Sequence, residues 1–346
     1  MMLRPGYRIV IGDHVVDTTE EPKASTAIEL SVRLDMDTPV DGFTLVQGQV
    51  GGLRAEPGDD ASIDLGYADG ELTRVCTGLV VAVEPGLETK RITGHATGDR
   101  LLRAFTDKTF EDTTAGDIVR ALAASAEVEI ERVEDGVAFP AYVVDGRRNA
   151  ARHLRDLAVL CGFDTYCTAE GKLVFEGFTG SRTVHKLKYG EHVLAAELVR
   201  SRPFASTVEV WGDSPGSSRG DESWAWLTKD FGARRGTAGT GSPKLLVERS
   251  SLRTAVAAAT TASAVAEVFT ERGLRGRVRI QGRPQVSLGD LVRLERFPDR
   301  AGVSEIDGNY QVRAVGHHLS KAAGLVTDLE VRSLAGAAAT ALGGLL

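Results

Sequence analysis

Short apolar bursts separated by polar turns dominate the first hundred residues. LRPGYRIVIG (3–12) and TAIELSVRL (26–34) read as β segments, with the acidic TTEEP between them as a loop. FTLVQGQV, within 42–54, continues the extended character. In ASIDLGY, Ile63, Leu65 and Tyr67 alternate with Asp64 and Gly66, so one face of that strand is apolar. GLVVAVEP (78–85) and KRITGHA (90–96) resemble two strands joined by a Gly-containing turn. Together these predict a compact first β domain.

After Asp99 the period changes. Ile118, Leu122 and Ala126 recur every fourth residue, which predicts a helix capped by Thr113 or Thr114, with Asp117 at its positive end. A second helix is predicted from Asn149 to Leu160, carried by Ala150, Leu154, Leu157, Ala158 and Leu160 and stopped by Gly162. FDTYCTAEGKLVFEGF follows as a hairpin turning at Ala169-Glu170-Gly171.

The β pattern returns from Glu191 with HVLAAELVRS and STVEVWGDSP. Residues 212–243 are rich in Gly, Ser and Pro and carry Trp224, Trp226 and Phe231, which predicts a surface excursion. A helix is expected from Leu252 to Phe269, then four strands in GRVRIQGRP, GDLVRLERF, NYQVRAVGHHL and LVTDLEVRS. The expected division is a first β-barrel-like domain at 1–105, an inserted α/β domain at 106–186, and a second β-barrel-like domain at 187–335. The second domain holds a long excursion at about 212–275, and 336–346 forms an apolar tail. The fold class is therefore mainly β with an α/β insertion and two related barrel-like domains.

An internal likeness supports that relation. PGDDASIDLGY is followed by CTGLVVAVE, and LGDLVRLERF by DGNYQVRAVGH. Gly58-Asp59 precedes Gly78, and Gly289-Asp290 precedes Gly308, each by about twenty residues. Two similar domains per chain would give three copies of the chain six comparable units around an axis.

Composition narrows the function classes. With 42% hydrophobic and 26% charged residues the chain is an ordinary globular protein, and its length accommodates more than one core. A net charge of -7 supplies no global attraction to nucleic acid. Cys76, Cys161 and Cys167 have neither metal-site spacing nor a disulfide framework, which fits assembly in a reducing interior. MMLRPGYRIVIGD lacks signal-peptide character, and no apolar run is long enough to span a bilayer.

Candidate chemistry is sparse. Adjacent strand residues such as His317 and His318 point to opposite faces and do not readily share a metal; His14, His95, His153, His185 and His192 are scattered. Asp59-Asp60 and Glu20-Glu21 fit solvated turns better than acid/base catalysis. Cys161 has no identifiable base nearby, and Cys167 fits a hairpin position. The glycines between Gly212 and Gly220 lack a nucleotide-loop signature. No catalytic, cofactor-binding or metal-binding residue is assigned.

PGDDASIDLGY, CTGLVV, TFEDTTAGDIV, NAARHLRDLAVLCGFDTYCTAEGKLVFEG, LKYGEHV, TVEVWGDSP and GNYQVRAVGHHLSKAAGLVTDLEV, in that order, resemble the phage late control D and tail baseplate hub family. This family also supplies hubs to contractile injection systems. The resemblance spans most of residues 25–333. It implies that Gly58 and Asp59 turn into one strand and Thr77-Gly78 begins the next. Leu154, Leu157, Cys161, Gly162 and Phe163 correspond to the inserted helix and hairpin entry. Tyr189-Gly190 leads into the second barrel, closed by Gly308 to Tyr310 and the strand beyond His317-His318.

The implied protein is a non-enzymatic homotrimer, assembled in the cytoplasm, that joins a hexameric inner tube to a trimeric spike among other baseplate proteins. Some relatives fuse the hub to a further β barrel and spike helix, whereas SLAGAAATALGGLL follows here, so a separate spike protein is expected. The alternatives are carbohydrate or surface binding through Trp224, Trp226 and Phe231, and a tail-associated cell-wall hydrolase, for which no catalytic set is visible.

Overall fold

We describe residues 4–21, 26–38, 41–180, 183–212, 234–298 and 306–334 in a computed structural model of the 346-residue chain. The architecture is mostly β, with helical insertions around one curled, partly open sheet of 13 strands.

The first half contributes β1 (Pro5–Ile11), β2 (His14–Asp17), β3 (Ala27–Asp35), β4 (Gly42–Gly48), β5 (Asp60–Tyr67), β6 (Thr73–Pro85) and β7 (Thr89–Ala96). Their sheet order is β3-β4-β7-β6-β5-β1, with β2 folded back on β1. Side chains in β4 alternate as the pleat requires: Phe43, Leu45 and Gln47 point into the core. The Gln47 amide is fully buried and satisfied, donating to the Leu53 carbonyl at 2.7 Å and accepting the Leu53 N–H at 3.0 Å.

The insertion comprises α1 (Asp99–Arg103), β8 (Lys108–Thr114), α2 (Ala115–Ser125), β9 (Ile130–Val133), β10 (Ala138–Val144), α3 (Ala150–Cys161), β11 (Phe163–Cys167) and β12 (Leu173–Gly177). Thr114 and Asp117 form a reciprocal capping box at the start of α2, satisfying N–H groups the first turn leaves unpaired. Asn149 caps α3, and Gly162 ends it in the left-handed conformation. The expected hairpin is β11–β12, with Gly171 at φ +83° in its turn. β12 also pairs in parallel with β9.

The second half holds β13 (Val184–Lys188), β14 (Val193–Arg200), an excursion, and then β18 (Leu274–Gln281), β19 (Leu291–Glu295), β20 (Gly308–Ser320) and β21 (Gly324–Ser333). The excursion consists of β15 (Thr207–Gly212), β16 (Arg235–Gly239), β17 (Lys244–Arg249) and α4 (Ala255–Glu271). β15, flanked by β16 and β17, makes a separate three-stranded sheet. The alanines of α4 are explained by close approach: a Cβ at Gly236 would lie 2.2 Å from the Ala258 backbone. Val208, Val210, Leu252, Ala258 and Ala262 share one apolar core with Ile118, Leu154, Leu157 and Phe175 of the insertion. The excursion therefore packs onto the inserted layer.

In the large sheet the second half has the order β14-β18-β21-β20-β19-β13. Numbering six strands by chain order in each half, without β2, gives 2-3-6-5-4-1 for both. One pairing differs in direction: β1 runs antiparallel to β5, whereas β13 runs parallel to β19. Two related barrel-like domains are expected from the sequence, whereas the strands of both halves join a single sheet. The reason is that β20 pairs with β21 along one side, and on the other with β19 near its start and β3 near its end.

Candidate assembly interface

The junction between halves is an antiparallel ladder running from Ala314 opposite Asp35 to Ser320 opposite Glu29. Just beyond it, Met36 donates its N–H to the Arg313 carbonyl at 2.9 Å. Arg313 occupies a bulge in β20, between Val312 and Ala314, and its side chain is buried. Its guanidinium bonds to Asp37 at 2.7 Å and to Asp164 of β11. Gln311 donates to the second Asp164 oxygen at 2.6 Å, and Arg332 pairs with Glu271 of α4 at 2.8 Å. This cluster bolts the large sheet to the inserted layer, lining a cavity of about 550 Å³.

Burial alone would raise the Asp164 carboxyl, but the charges of Arg313 and Arg332 overcome it and hold the group below its usual range. For Glu271 burial wins over Arg332 and the carboxyl is raised. Near the junction, the Asp41 carboxyl accepts the Asp35 N–H at 2.7 Å, and burial pushes its pKa up to about 8.

The two halves also share a turn, atom for atom. Gly58 and Gly289 both have positive φ, +103° and +80°. An Asp59 carboxylate oxygen accepts the Glu56 N–H at 2.8 Å, and one of Asp290 accepts the Ser287 N–H at 2.9 Å. Gly58 donates to the Val80 carbonyl at 2.8 Å and Gly289 to that of Val312 at 3.0 Å; Val80 and Val312 donate back to Asp59 and Asp290. The equivalent pair is thus Val80 and Val312. Gly78 and Gly308, which the spacing suggested, sit two and four residues before those positions, and Thr77-Gly78 lies inside β6 rather than at its start.

The remaining candidates resolve into packing. His317 is buried, bonded to Thr327 at 3.0 Å and pushed down to about 3 by burial; His318 faces outward, near Ser31 and Asp328. Burial pushes the thiols of Cys76 and Cys167 up to about 12 and of Cys161 to about 11, which disfavours nucleophilic thiolates. Glu20 and Glu21 are exposed. Gly190, at φ +77°, turns the chain from β13 into β14. Among the described residues no group of three or more His, Cys, Asp or Glu is arranged to hold a metal, and no helix is long and apolar enough to cross a membrane. Trp224, Trp226, Phe231, the glycines from Gly216 to Gly220 and the 336–346 tail lie outside the described residues.

The Arg313 cluster is absent from the sequence reading. Its one signal is a charged residue between Val312 and Ala314 on a strand otherwise apolar at neighbouring positions.

Comparison with solved structures fits this arrangement. The 43 kDa tail protein of prophage MuSo2 from Shewanella oneidensis superposes with a TM-score of 0.71 at 16% identity, covering 95% of this chain and 98% of that one. The chain has the phage tail-protein fold. A tail protein from Neisseria meningitidis shares the tail-protein fold at TM-score 0.69 and 14% identity, over 95% of this chain and 96% of its own. A component of the E. coli type VI secretion system, described as similar to bacteriophage T4 tail proteins gp27 and gp5, follows at 0.57 and 9%, over 95% and 77% of the two chains. These neighbours agree with the hub resemblance drawn from the sequence motifs. No protein-family model matches the chain, and no curated protein matches it by sequence. At these identities the tail-protein fold is recognised through the superposition of backbones rather than residue identity.

Proposed function

We propose that this chain is a structural, non-catalytic hub subunit of a phage tail or contractile injection system. Three copies form a ring in which six related halves meet a hexameric inner tube on one face, while the threefold repeat of whole chains meets a trimeric spike on the other. The first half lies in residues 1–105 and the second in 187–335, with the insertion at 106–186 between them. Other baseplate proteins contact the outside, and assembly takes place in the cytoplasm.

The observation that carries this reading is the repeated strand order, 2-3-6-5-4-1 in each half, within one continuous sheet. Such a chain presents two similar surfaces per copy, which is what a threefold-to-sixfold adaptor requires. The tail-protein and secretion-system structures sharing the fold support the setting.

Native mass spectrometry over a concentration series, followed by imaging, tests it. A concentration-dependent trimer with six comparable lobes around its axis is expected. A monomer at every concentration that binds neither a tube nor a spike protein overturns the reading.

A further inference from the structure

The junction inside the chain specifies how a second copy attaches. In the intrachain junction, the edge strand of the first half, β3, pairs with the end of β20 in the second. The counterpart of β3 is β14, at the end of the sheet path with β18 as its sole strand partner among the described residues. The counterpart of β20 is β6, whose pairing with β5 stops at Leu79 and leaves the flank beyond Val80 without a strand among the described residues. Each half therefore offers the same two elements, and one of each is used within the chain.

We infer that β14 of one copy adds antiparallel to the open flank of β6 in the next copy. This rests on the ring proposed above. Its register follows from two shared irregularities. β3 and β14 are both bulged against their inner neighbours, at Ile28 and at Leu194, which equates Leu34 with Arg200. β6 and β20 are both bulged, at Val81 and Arg313, which equates Ala82 with Ala314. Transferring the junction pairs places Ser201 opposite Ala82, Arg200 opposite Val83, and Val199 opposite Glu84.

The chemistry at these positions suits the contact. Val199 is 61% exposed and Phe204, just past β14, is 70% exposed, as expected of apolar groups awaiting a partner. The Arg313–Asp37 ion pair of the inner junction maps onto Val81 and Pro203, so no charge lacks a partner there. Val83 and Arg200 occupy the position of Val315 and Leu34, two residues along from the bonded Met36–Arg313 pair, and so exchange backbone hydrogen bonds. Pro85 has no N–H to donate and ends the ladder, keeping it shorter than the inner one. The contact joins unlike surfaces, the kind that builds a ring when its rotation closes.

The test is disulfide trapping in the full chain. Oxidised Ala82→Cys/Ser201→Cys is expected to give covalent dimers and trimers, while the shifted pair Ala82→Cys/Val199→Cys is not. In a second arm, Val199→Asp sets like charges opposite Glu84 and weakens assembly severalfold, and adding Glu84→Lys restores it. A native trimer that neither cross-links at 82/201 nor responds to the charge exchange removes this interface and leaves the hub reading standing. A chain that never assembles removes both.

Discussion

His185 Nε2 lies 2.9 Å from a carboxylate oxygen of Asp290, the residue that anchors the turn into β19. Asp59, its counterpart before β5, holds the equivalent turn with no histidine among its described partners. The turn is the same in both halves, and among the described residues it is tied to β13 through His185 in the second.

Removing each carboxylate separates these roles. Asp59→Ala is expected to cost about 1 kcal/mol and the buried Asp290→Ala about 2–3 kcal/mol, the range for hydrogen bonds to charged groups. Urea denaturation measures both; equal losses would mean the His185 contact contributes nothing.

Arg313 is the more demanding site. Arg313→Ala leaves Asp164 buried without its main counter-charge and is expected to destabilise by about 3–5 kcal/mol. Combining Arg313→Met with Asp164→Asn recovers part of that loss, because the second change removes the stranded charge. A double-mutant cycle showing simple additivity would contradict the coupling.

Asp41 makes stability depend on pH. Its carboxyl has a pKa near 3.8 when free and about 8 in the folded protein, so the folded state holds an extra proton between those values. The contribution is complete below the lower value and declines as pH rises to the upper one. Asp41→Asn, which cannot ionise, is therefore expected to lose less stability than wild type between pH 5 and 8. Parallel melting-temperature profiles for the two proteins would refute this.

Gly162 ends α3 at φ +72°, and a Cβ there would lie 2.8 Å from the Ala264 side chain on α4. Gly162→Ala is expected to cost about 1–2 kcal/mol from the left-handed backbone alone, with crowding against α4 in addition. Calorimetry checks this; an unchanged melting temperature would show that the helix end relaxes freely.

Elements governed by local rules were readable in the chain. Thr114 with Asp117, and Asn149 with Gly162, mark helix ends through bonds spanning a few residues. β2 and β13 escaped notice because His14–Asp17 and Val184–Lys188 are short and carry no clean alternation. The Gly-Asp turns mark the two like halves, but Gly78 and Gly308 do not stand at equivalent positions, because spacing does not show which residue closes the backbone bonds. Asp37, Asp164, Glu271, Arg313 and Arg332 are far apart in sequence, and singly each reads as an ordinary surface charge. Only the meeting of β3 with β20 and the docking of β11 bring them together.

Fusing both halves into one polypeptide also frees them to diverge. Identical monomers around an axis must carry every substitution at every position, whereas a tandem pair can alter one member and spare the other. The excursion between β14 and β18 has no equal in the short link between β3 and β4. In the proposed ring, a change confined to one half would recur at alternate positions only and leave the other half's share of the lining untouched.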